Sequence, residues 1–160
     1  MRSEQEVNQV IERYADMVRR LCVIHLKNDA DTEDIFQTVF LKYALHDAPF
    51  ENDAHEKAWL IRVTINACRD LMKSFFRSRT VSIDELVEQP ASLPPDHREV
   101  LEAVLSLPKK YKDVVYLHYY EGYTAPQMSQ ILGKNVNTIY TLLTRSKQIL
   151  KEKLGGDVCA

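Results

Sequence analysis

The chain has 160 residues, and 45% of them are hydrophobic, which is enough to bury one ordinary core or two small ones. Only four glycines and six prolines are available for turns, so the composition favours helices over a sheet. The net charge of −2 argues against a protein that coats nucleic acid. The sequence has no run of ~18 apolar residues and no basic segment that leads into an apolar block, so neither a membrane span nor a secretory signal is predicted. We expect a cytoplasmic, all-α protein.

Three helices are predicted in the first half of the chain. Apolar residues recur at three- and four-residue steps between Val7 and Ile24, which predicts a helix over about Glu4–Leu26. Asp31 is expected to cap a second helix that ends near His46. The third helix is predicted over about Glu56–Arg77. The second helix carries the apolar residues Ile35, Phe36, Val39, Phe40 and Tyr43.

A break in the helical pattern divides the chain. Residues 79–96 lose the apolar period and contain three of the six prolines, which predicts a flexible linker between two small helical domains, 1–78 and 97–160. Charge also changes along the chain, because residues 79–107 hold 2 basic and 6 acidic side chains, whereas residues 108–160 hold 8 and 4. The last third is therefore basic.

The second domain contains a predicted helix-turn-helix. Thr124 and Gln127 match a capping box that begins one helix, Gly133 lies in a short turn, and a last helix is predicted over about Val136–Leu154. One face of this last helix bears amide, hydroxyl and cationic groups without a carboxylate, which suits base edges and phosphates. Its residues are Asn137, Tyr140, Thr141, Thr144, Gln148 and Lys151, with Arg145 and Lys147 at the margins. The stripe predicted to be buried is Val136, Ile139, Leu143, Ser146 and Leu150.

The third helix also has two distinct faces. A basic row with one aromatic side chain suits a phosphate track that ends on a base-stacking surface, but the same pattern is typical of an ordinary solvent-exposed face. The residues leave both interpretations open. The row is Trp59, Arg62, Asn66, Arg69, Lys73 and Arg77, and the face predicted to be buried is Leu60, Val63, Ala67, Leu71 and Phe75.

The second helix carries acidic residues at its start and more apolar surface than one core face needs. This pattern indicates either a protein-binding helix or a core helix with irregular edges. Elsewhere, Cys22, Cys68 and Cys159 lie too far apart to suggest a disulfide framework, and Cys22 with His25 is interpreted as core packing. No motif predicts a catalytic residue, a metal site or a cofactor, so we expect a protein that is not an enzyme.

Two sets of motifs carry a family resemblance. Asp31–Phe40 followed by Lys57–Arg62 is similar to the first conserved domain of the extracytoplasmic-function (ECF) sigma factors. The second conserved domain of the same family has motifs similar to Leu107-Pro108, Glu121–Thr124, Ile131–Gly133 and Val136–Ile139. The resemblance covers nearly the whole chain and follows the family's order. It implies sigma region 2 in residues 1–78 and sigma region 4 in residues 97–160.

The resemblance implies a transcription initiation factor that directs core RNA polymerase to promoters. Docking on the polymerase clamp helices is expected from Asp34, Ile35, Gln37 and Phe40. The loop of residues 49–55 and the basic row of the third helix would recognise and help melt the −10 element. Contacts to the −35 element are expected from Thr124, Lys134, Asn137, Tyr140, Thr141, Thr144, Arg145, Lys147 and Lys151. An anti-sigma factor is a further expected partner.

The sequence departs from the family pattern at Tyr140 and Leu142, where the family often has cations, so a less cationic −35 contact set is expected. Two other functions stay open. A stand-alone helix-turn-helix regulator would bind a palindromic site as a dimer without polymerase, and a purely protein-binding helical adaptor would have no role on DNA.

Overall fold

The computed structural model describes residues 1–26, 28–78 and 98–154, although the side chains of 75–78 and 98–101 lie outside that description. Every regular element in the described residues is helical. The predicted all-α class is therefore confirmed. The predicted linker, residues 79–96, lies outside the described residues.

The chain divides into two compact units, Met1–Ala91 and Ser92–Ala160. The two-domain architecture is confirmed in that sense. Three helices form the first unit: α1 (Glu4–His25), α2 (Asp29–Leu45) and α3 (Asp53–Ser78). The second unit contains α4 (Arg98–Leu105), α5 (Lys109–Val115), a π-helical turn (Tyr116–Tyr120), α6 (Ala125–Leu132) and α7 (Val136–Lys153).

The first unit is a three-helix bundle in which each helix packs against the other two. Its most deeply buried side chains come from all three helices, as the apolar periodicity requires. They include Val18, Leu21, Val39, Leu60 and Ile61, each fully shielded from solvent. The predicted buried stripe of α1 is largely confirmed, with Val7 and Ile11 only half-buried at its edge.

Helix α2 begins three residues earlier than predicted. Asn28, not Asp31, is the N-cap, because the Asn28 side-chain oxygen accepts a hydrogen bond from the Asp31 backbone N–H (2.7 Å). The Asn28 amide also donates to the Asp31 carboxylate (2.7 Å). Asp31 thus completes a reciprocal pair at the third helical position, and its charge lies where the helix dipole favours an anion.

Helix α3 begins at Asp53, three residues before the predicted start, because Asn52 accepts a hydrogen bond from the backbone N–H of His55 (2.8 Å). Its buried face is also wider than predicted, since the helix packs against two neighbours. Val63 and Leu71 are only half-buried, whereas the core includes Ile61, Thr64, Ile65 and Cys68. The buried Thr64 hydroxyl donates to the Leu60 carbonyl (2.7 Å) and so is satisfied.

The second unit has its core between α5, the π-helical turn, α6 and α7. Its fully buried side chains include Val114, Leu117, Met128 and Ile139. The π-helical turn was not among the predicted elements. The turn places Tyr119 and Tyr120 in solvent, with 48% and 59% of their surface exposed.

Among the helices in the described part of the chain, none has both the length and the apolar character needed to cross a membrane. Within the same residues, no cluster of three or more His, Cys, Asp and Glu side chains is arranged to hold a metal ion.

Candidate nucleic-acid interface

The turn between α6 and α7 is held by local hydrogen bonds. Gly133 ends α6 with φ 67° and ψ 31°, a left-handed conformation that favours glycine. The backbone carbonyl of Ser129 accepts hydrogen bonds from the backbone N–H groups of Gly133 (2.9 Å) and Lys134 (3.2 Å). The Ser129 hydroxyl donates to the Lys134 carbonyl. Asn135 then caps α7 by accepting from the Asn137 N–H (2.8 Å). The predicted helix-turn-helix geometry is therefore present.

The capping box at Thr124 also forms as predicted. The Thr124 hydroxyl accepts from the Gln127 N–H (3.3 Å), and the Gln127 side chain accepts from the Thr124 N–H (2.9 Å). Pro126 lies in the first turn, where its missing N–H costs no hydrogen bond. Helix α6, which packs against α7, thus begins at a fixed point.

Replacing Thr124 with Ala should lower the free energy of unfolding of the second unit by about 1 kcal/mol, because one N-terminal N–H of α6 loses its acceptor. Thr124→Ser keeps the hydroxyl and serves as the matched control. Denaturant unfolding followed by circular dichroism measures the difference. Equal stability of Thr124→Ala and Thr124→Ser would show that the box does not stabilise this helix.

Helix α7 exposes the face that was predicted to meet DNA. All nine residues predicted to contact the −35 element have exposed side chains. They are Thr124, Lys134, Asn137, Tyr140, Thr141, Thr144, Arg145, Lys147 and Lys151. Eight of the nine lie on the turn or on α7, and Tyr140 projects with 54% of its surface in solvent. These eight are therefore accessible along one helix and its preceding turn, whereas Thr124 lies at the start of α6.

The buried stripe of α7 differs in detail from the prediction. Ile139, Leu142, Ser146 and Leu150 are buried, whereas Val136 and Leu143 are only half-buried. Leu142 is 7% exposed and therefore belongs to the core, so the absence of a cation there removes no surface charge. The sequence interpretation counted Leu142 among the positions that make the −35 contact set less cationic. Its burial corrects that interpretation.

The exposed face of α7 is electrostatically suited to a polyanion. Its only acidic residue is Glu152, which lies in the last turn of the helix. At 1.5 Å per residue, Glu152 lies roughly 22 Å along the axis from Asn137, far from the end of the helix that starts at the turn. Exposed cations at Arg145, Lys147 and Lys151 follow the polar groups of the first half.

Helix α3 presents the predicted basic row on the side opposite its core. Arg62, Asn66, Arg69 and Lys73 are exposed, while the side chain of Arg77 lies outside the described residues. One exposed acid, Asp70, lies beside this row and was not considered in the sequence interpretation.

An aromatic cluster lies where the α2–α3 loop, residues 46–52, meets the start of α3. Trp59 is half-buried there, with ring centroids 4.7 Å from His46, 5.6 Å from Phe50 and 6.2 Å from Tyr43. Phe50 also lies 5.2 Å from the ring of His55. The sequence interpretation proposed a role for Trp59 but missed its partners, although His46 and Phe50 lie in the same loop and His55 follows it closely.

Tyr43 closes the buried side of this cluster. Its burial, together with the hydrogen bond that its hydroxyl donates to Glu56 (2.9 Å), raises the pKa of Tyr43 to about 12. The phenol therefore remains a neutral donor under ordinary conditions and holds α3 against α2 at the base of the loop.

Helix α2 does not expose all of the residues predicted to dock on polymerase. Asp34 and Gln37 are exposed, but Ile35 and Phe40 are buried, with 6% and 4% of their surface accessible. The excess apolar surface instead belongs to Leu41 and Leu45, exposed by 61% and 56%. Helical spacing places these two leucines in one stripe with Asp34 and Gln37. We call these four residues the α2 stripe.

Comparison with known proteins agrees with this organisation. Residues 10–80 match the family model described as Sigma-70 region 2, and residues 97–150 match the model described as Sigma-70, region 4. The two matches together cover most of the chain.

Relatives with similar sequences come from bacteria. RNA polymerase sigma factor SigV of Bacillus subtilis is 26% identical over 138 residues, which is 84% of this chain and 82% of that protein. ECF RNA polymerase sigma factor SigW of the same organism is 24% identical, over 91% of this chain and 87% of that protein.

Solved structures share the fold at low identity. The sigma factor RpoE in complex with the anti-sigma factor NepR from Bartonella quintana is similar with a TM-score of 0.81 and 21% identity, covering 96% of this chain and 99% of that one. CnrH in complex with the cytosolic domain of CnrY gives a TM-score of 0.65 at 21% identity, with 98% and 92% covered. Family models for both conserved regions and whole-length relatives agree, and the chain is a member of the ECF family of RNA polymerase sigma factors, a sigma-type transcription initiation factor.

Proposed function

We propose that the chain directs core RNA polymerase to a class of promoters by contacting both the −10 and the −35 elements. The observation that carries the proposal is the exposed face of α7, which offers amide, hydroxyl and cationic groups and no acid before Glu152. Such a face matches the hydrogen-bonding edges of a major groove and the phosphates beside it. The −35 set is therefore the nine exposed residues from Thr124 to Lys151.

The −10 element is read by the first unit. The α3 row supplies Arg62, Asn66, Arg69 and Lys73 along one side of the helix, with Arg77 as the last member of the set. These groups follow the strand backbone. The aromatic cluster around Trp59 stacks an unpaired base, and each such stack contributes ~1–3 kcal/mol. An unpaired base is captured by flipping it out of the duplex.

The α2 stripe docks on core polymerase. Asp34 and Gln37 supply polar contacts, and Leu41 supplies an exposed apolar anchor between them and Leu45. Apolar side chains at the centre of an interface commonly account for most of its binding energy. Ile35 and Phe40, which were predicted as contacts, support the stripe from beneath by holding α2 in the core.

The charge balance supports a function that depends on polymerase. A net charge of −2 gives the free chain little general attraction to DNA, so promoter binding needs the contacts of the holoenzyme. This balance disfavours a stand-alone regulator. The chain is accordingly a cytoplasmic, non-catalytic protein that needs no cofactor. It also binds an anti-sigma factor, as RpoE does in its complex with NepR.

The test is selection of promoter fragments from a randomised library by core polymerase with and without the chain. The chain should co-elute with core enzyme, and fragments with two fixed elements at a constant spacing should be enriched only when the chain is present. Enrichment of a palindromic site by the chain alone would support the stand-alone regulator instead. No enrichment and no co-elution would overturn the proposal.

Replacing Arg145 and Lys147 together with Ala should reduce the salt dependence of promoter binding. Each lost phosphate contact lowers the slope of log K against log salt by about 0.9, so we expect a decrease of roughly 2 for the pair. Titration of a selected fragment with holoenzyme at several salt concentrations measures the slope. Lys110, exposed on α5, provides the control variant Lys110→Ala, and an unchanged slope for the pair would exclude both cations from the interface.

A further inference from the structure

Arg2 fastens the α2–α3 loop from outside the helices that flank it. Its backbone N–H donates to the Ala44 carbonyl near the end of α2 (2.8 Å). Its guanidinium donates to the Ala48 carbonyl within the loop (2.8 Å) and to the Glu6 carboxylate (3.1 Å). One residue thus joins the start of α1, the end of α2 and the loop.

The same guanidinium also contacts the wall of the aromatic cluster. Its carbon lies 4.7 Å from the ring centroid of Tyr43 and 4.9 Å from that of Phe50. The two rings are nearly parallel, 3° apart in orientation, with centroids separated by 6.1 Å. Cation–π attraction is stronger when the cation is shielded from water, and only 13% of the Arg2 side chain is exposed. Arg2 therefore fixes the position of Phe50, whose ring lies 5.6 Å from that of Trp59 and is tilted 60° to it.

The burial of Arg2 is not what stability alone would favour. Its Nε–H is buried without a hydrogen-bond partner among the described residues. An unsatisfied buried donor is costly, and such groups in folded proteins call for an explanation. A geometric requirement on the loop supplies one.

We propose that Arg2 is a positioning residue for −10 recognition. By fixing Ala48 and Phe50, it holds the aromatic cluster ready to receive an unpaired base before DNA arrives. A surface that is already ordered avoids the entropy loss of ordering a loop on binding. The inference rests on the proposed function of the first unit, and it adds a residue that does not itself touch the DNA.

The chain offers a direct reporter of this role, because Trp59 is its single tryptophan. In the free chain, Arg2→Ala should shift Trp59 emission to longer wavelength and increase quenching by acrylamide, since Phe50, whose ring centroid lies 5.6 Å from that of Trp59, is no longer held in place. Arg2→Lys keeps the positive charge, but an ammonium does not reproduce the planar fork of guanidinium. We therefore expect Trp59 emission and quenching between those of Arg2→Ala and of the unsubstituted chain.

Arg19→Ala is the matched control. Arg19 also combines one ion pair, to Glu33 (3.6 Å), with one ring contact, to Phe36 (4.2 Å), but it lies away from the loop. Its removal should leave Trp59 emission unchanged. Circular dichroism of all variants monitors folding.

The decisive experiment repeats the promoter selection with Arg2→Ala holoenzyme. Base preference in the −10 region should fall about tenfold, the equivalent of one lost stacking contact, while the −35 preference in the same fragments stays unchanged. Equal loss in both elements would assign Arg2 a merely structural role and overturn the inference, as would an unchanged Trp59 signal with unchanged −10 preference. If the unsubstituted chain selects no −10 element, the proposed function fails, and the Trp59 signal still tests whether Arg2 positions the loop.

Discussion

Replacing Leu41 with Arg should weaken association with core RNA polymerase by about 2 kcal/mol or more, which is roughly thirtyfold in Kd. Leu41 is 61% exposed at the centre of the α2 stripe, so the substitution places a charge where we propose an apolar contact with core enzyme. The fold should be unaffected, because the side chain contributes little to the core. Fluorescence anisotropy of a labelled chain titrated with core enzyme measures the change.

Asn8→Arg is the matched control for this experiment. It adds the same guanidinium at an exposed position on α1 of the same unit, outside the α2 stripe. Its affinity for core enzyme should equal that of the unsubstituted chain. The assignment of the α2 stripe would be contradicted if Leu41→Arg bound normally, or if Asn8→Arg lost affinity to the same degree.

Replacing Thr144 with Glu should abolish discrimination at the −35 element. Thr144 is exposed on the part of the α7 face that precedes Glu152, and a carboxylate there would meet phosphates or base acceptors. Like charges brought together at an interface cost several kcal/mol, so we expect a loss of about 2 kcal/mol or more in promoter binding. Holoenzyme binding to a selected fragment and to the same fragment with a scrambled −35 element gives the readout.

Lys110→Gln controls for the change of one charge unit. Lys110 is exposed on α5, in the same unit but outside the predicted contact set. This variant should keep the full preference for the intact −35 element. If Thr144→Glu also kept it, the face of α7 would not be the surface that reads the element.

The fold was predictable because its main determinants are local. The apolar period of α1, the capping box at Thr124 and the glycine at position 133 each encode an element within a few residues. Helix starts were less predictable where two residues compete for the cap. Asn28 and Asp31 are both good N-cap residues, and the structure uses Asn28.

The burial of particular side chains was harder to predict, because it depends on how many neighbours a helix has. Helix α3 packs against both α1 and α2 and therefore buries Ile61 and Ile65 in addition to the single predicted stripe. The same effect places Phe40 in the core and leaves Leu41 outside. Leu142 likewise belongs to the core of the second unit, a position that motif comparison alone does not show.

The role of Arg2 could not be inferred from sequence at all. Its partners, Tyr43, Ala48 and Phe50, are more than forty residues away along the chain, and no local pattern connects them. Only tertiary structure brings the start of α1 to the α2–α3 loop. The exposed set on α7, in contrast, lies within one helix and its preceding turn, which is why the sequence predicted it.

The most direct test of the central claim is transcription in vitro on a library of promoter fragments with purified core polymerase. We expect defined start sites that appear only when the chain is added, preceded by a common −10 and a common −35 element. Transcription that is identical with and without the chain would contradict the account.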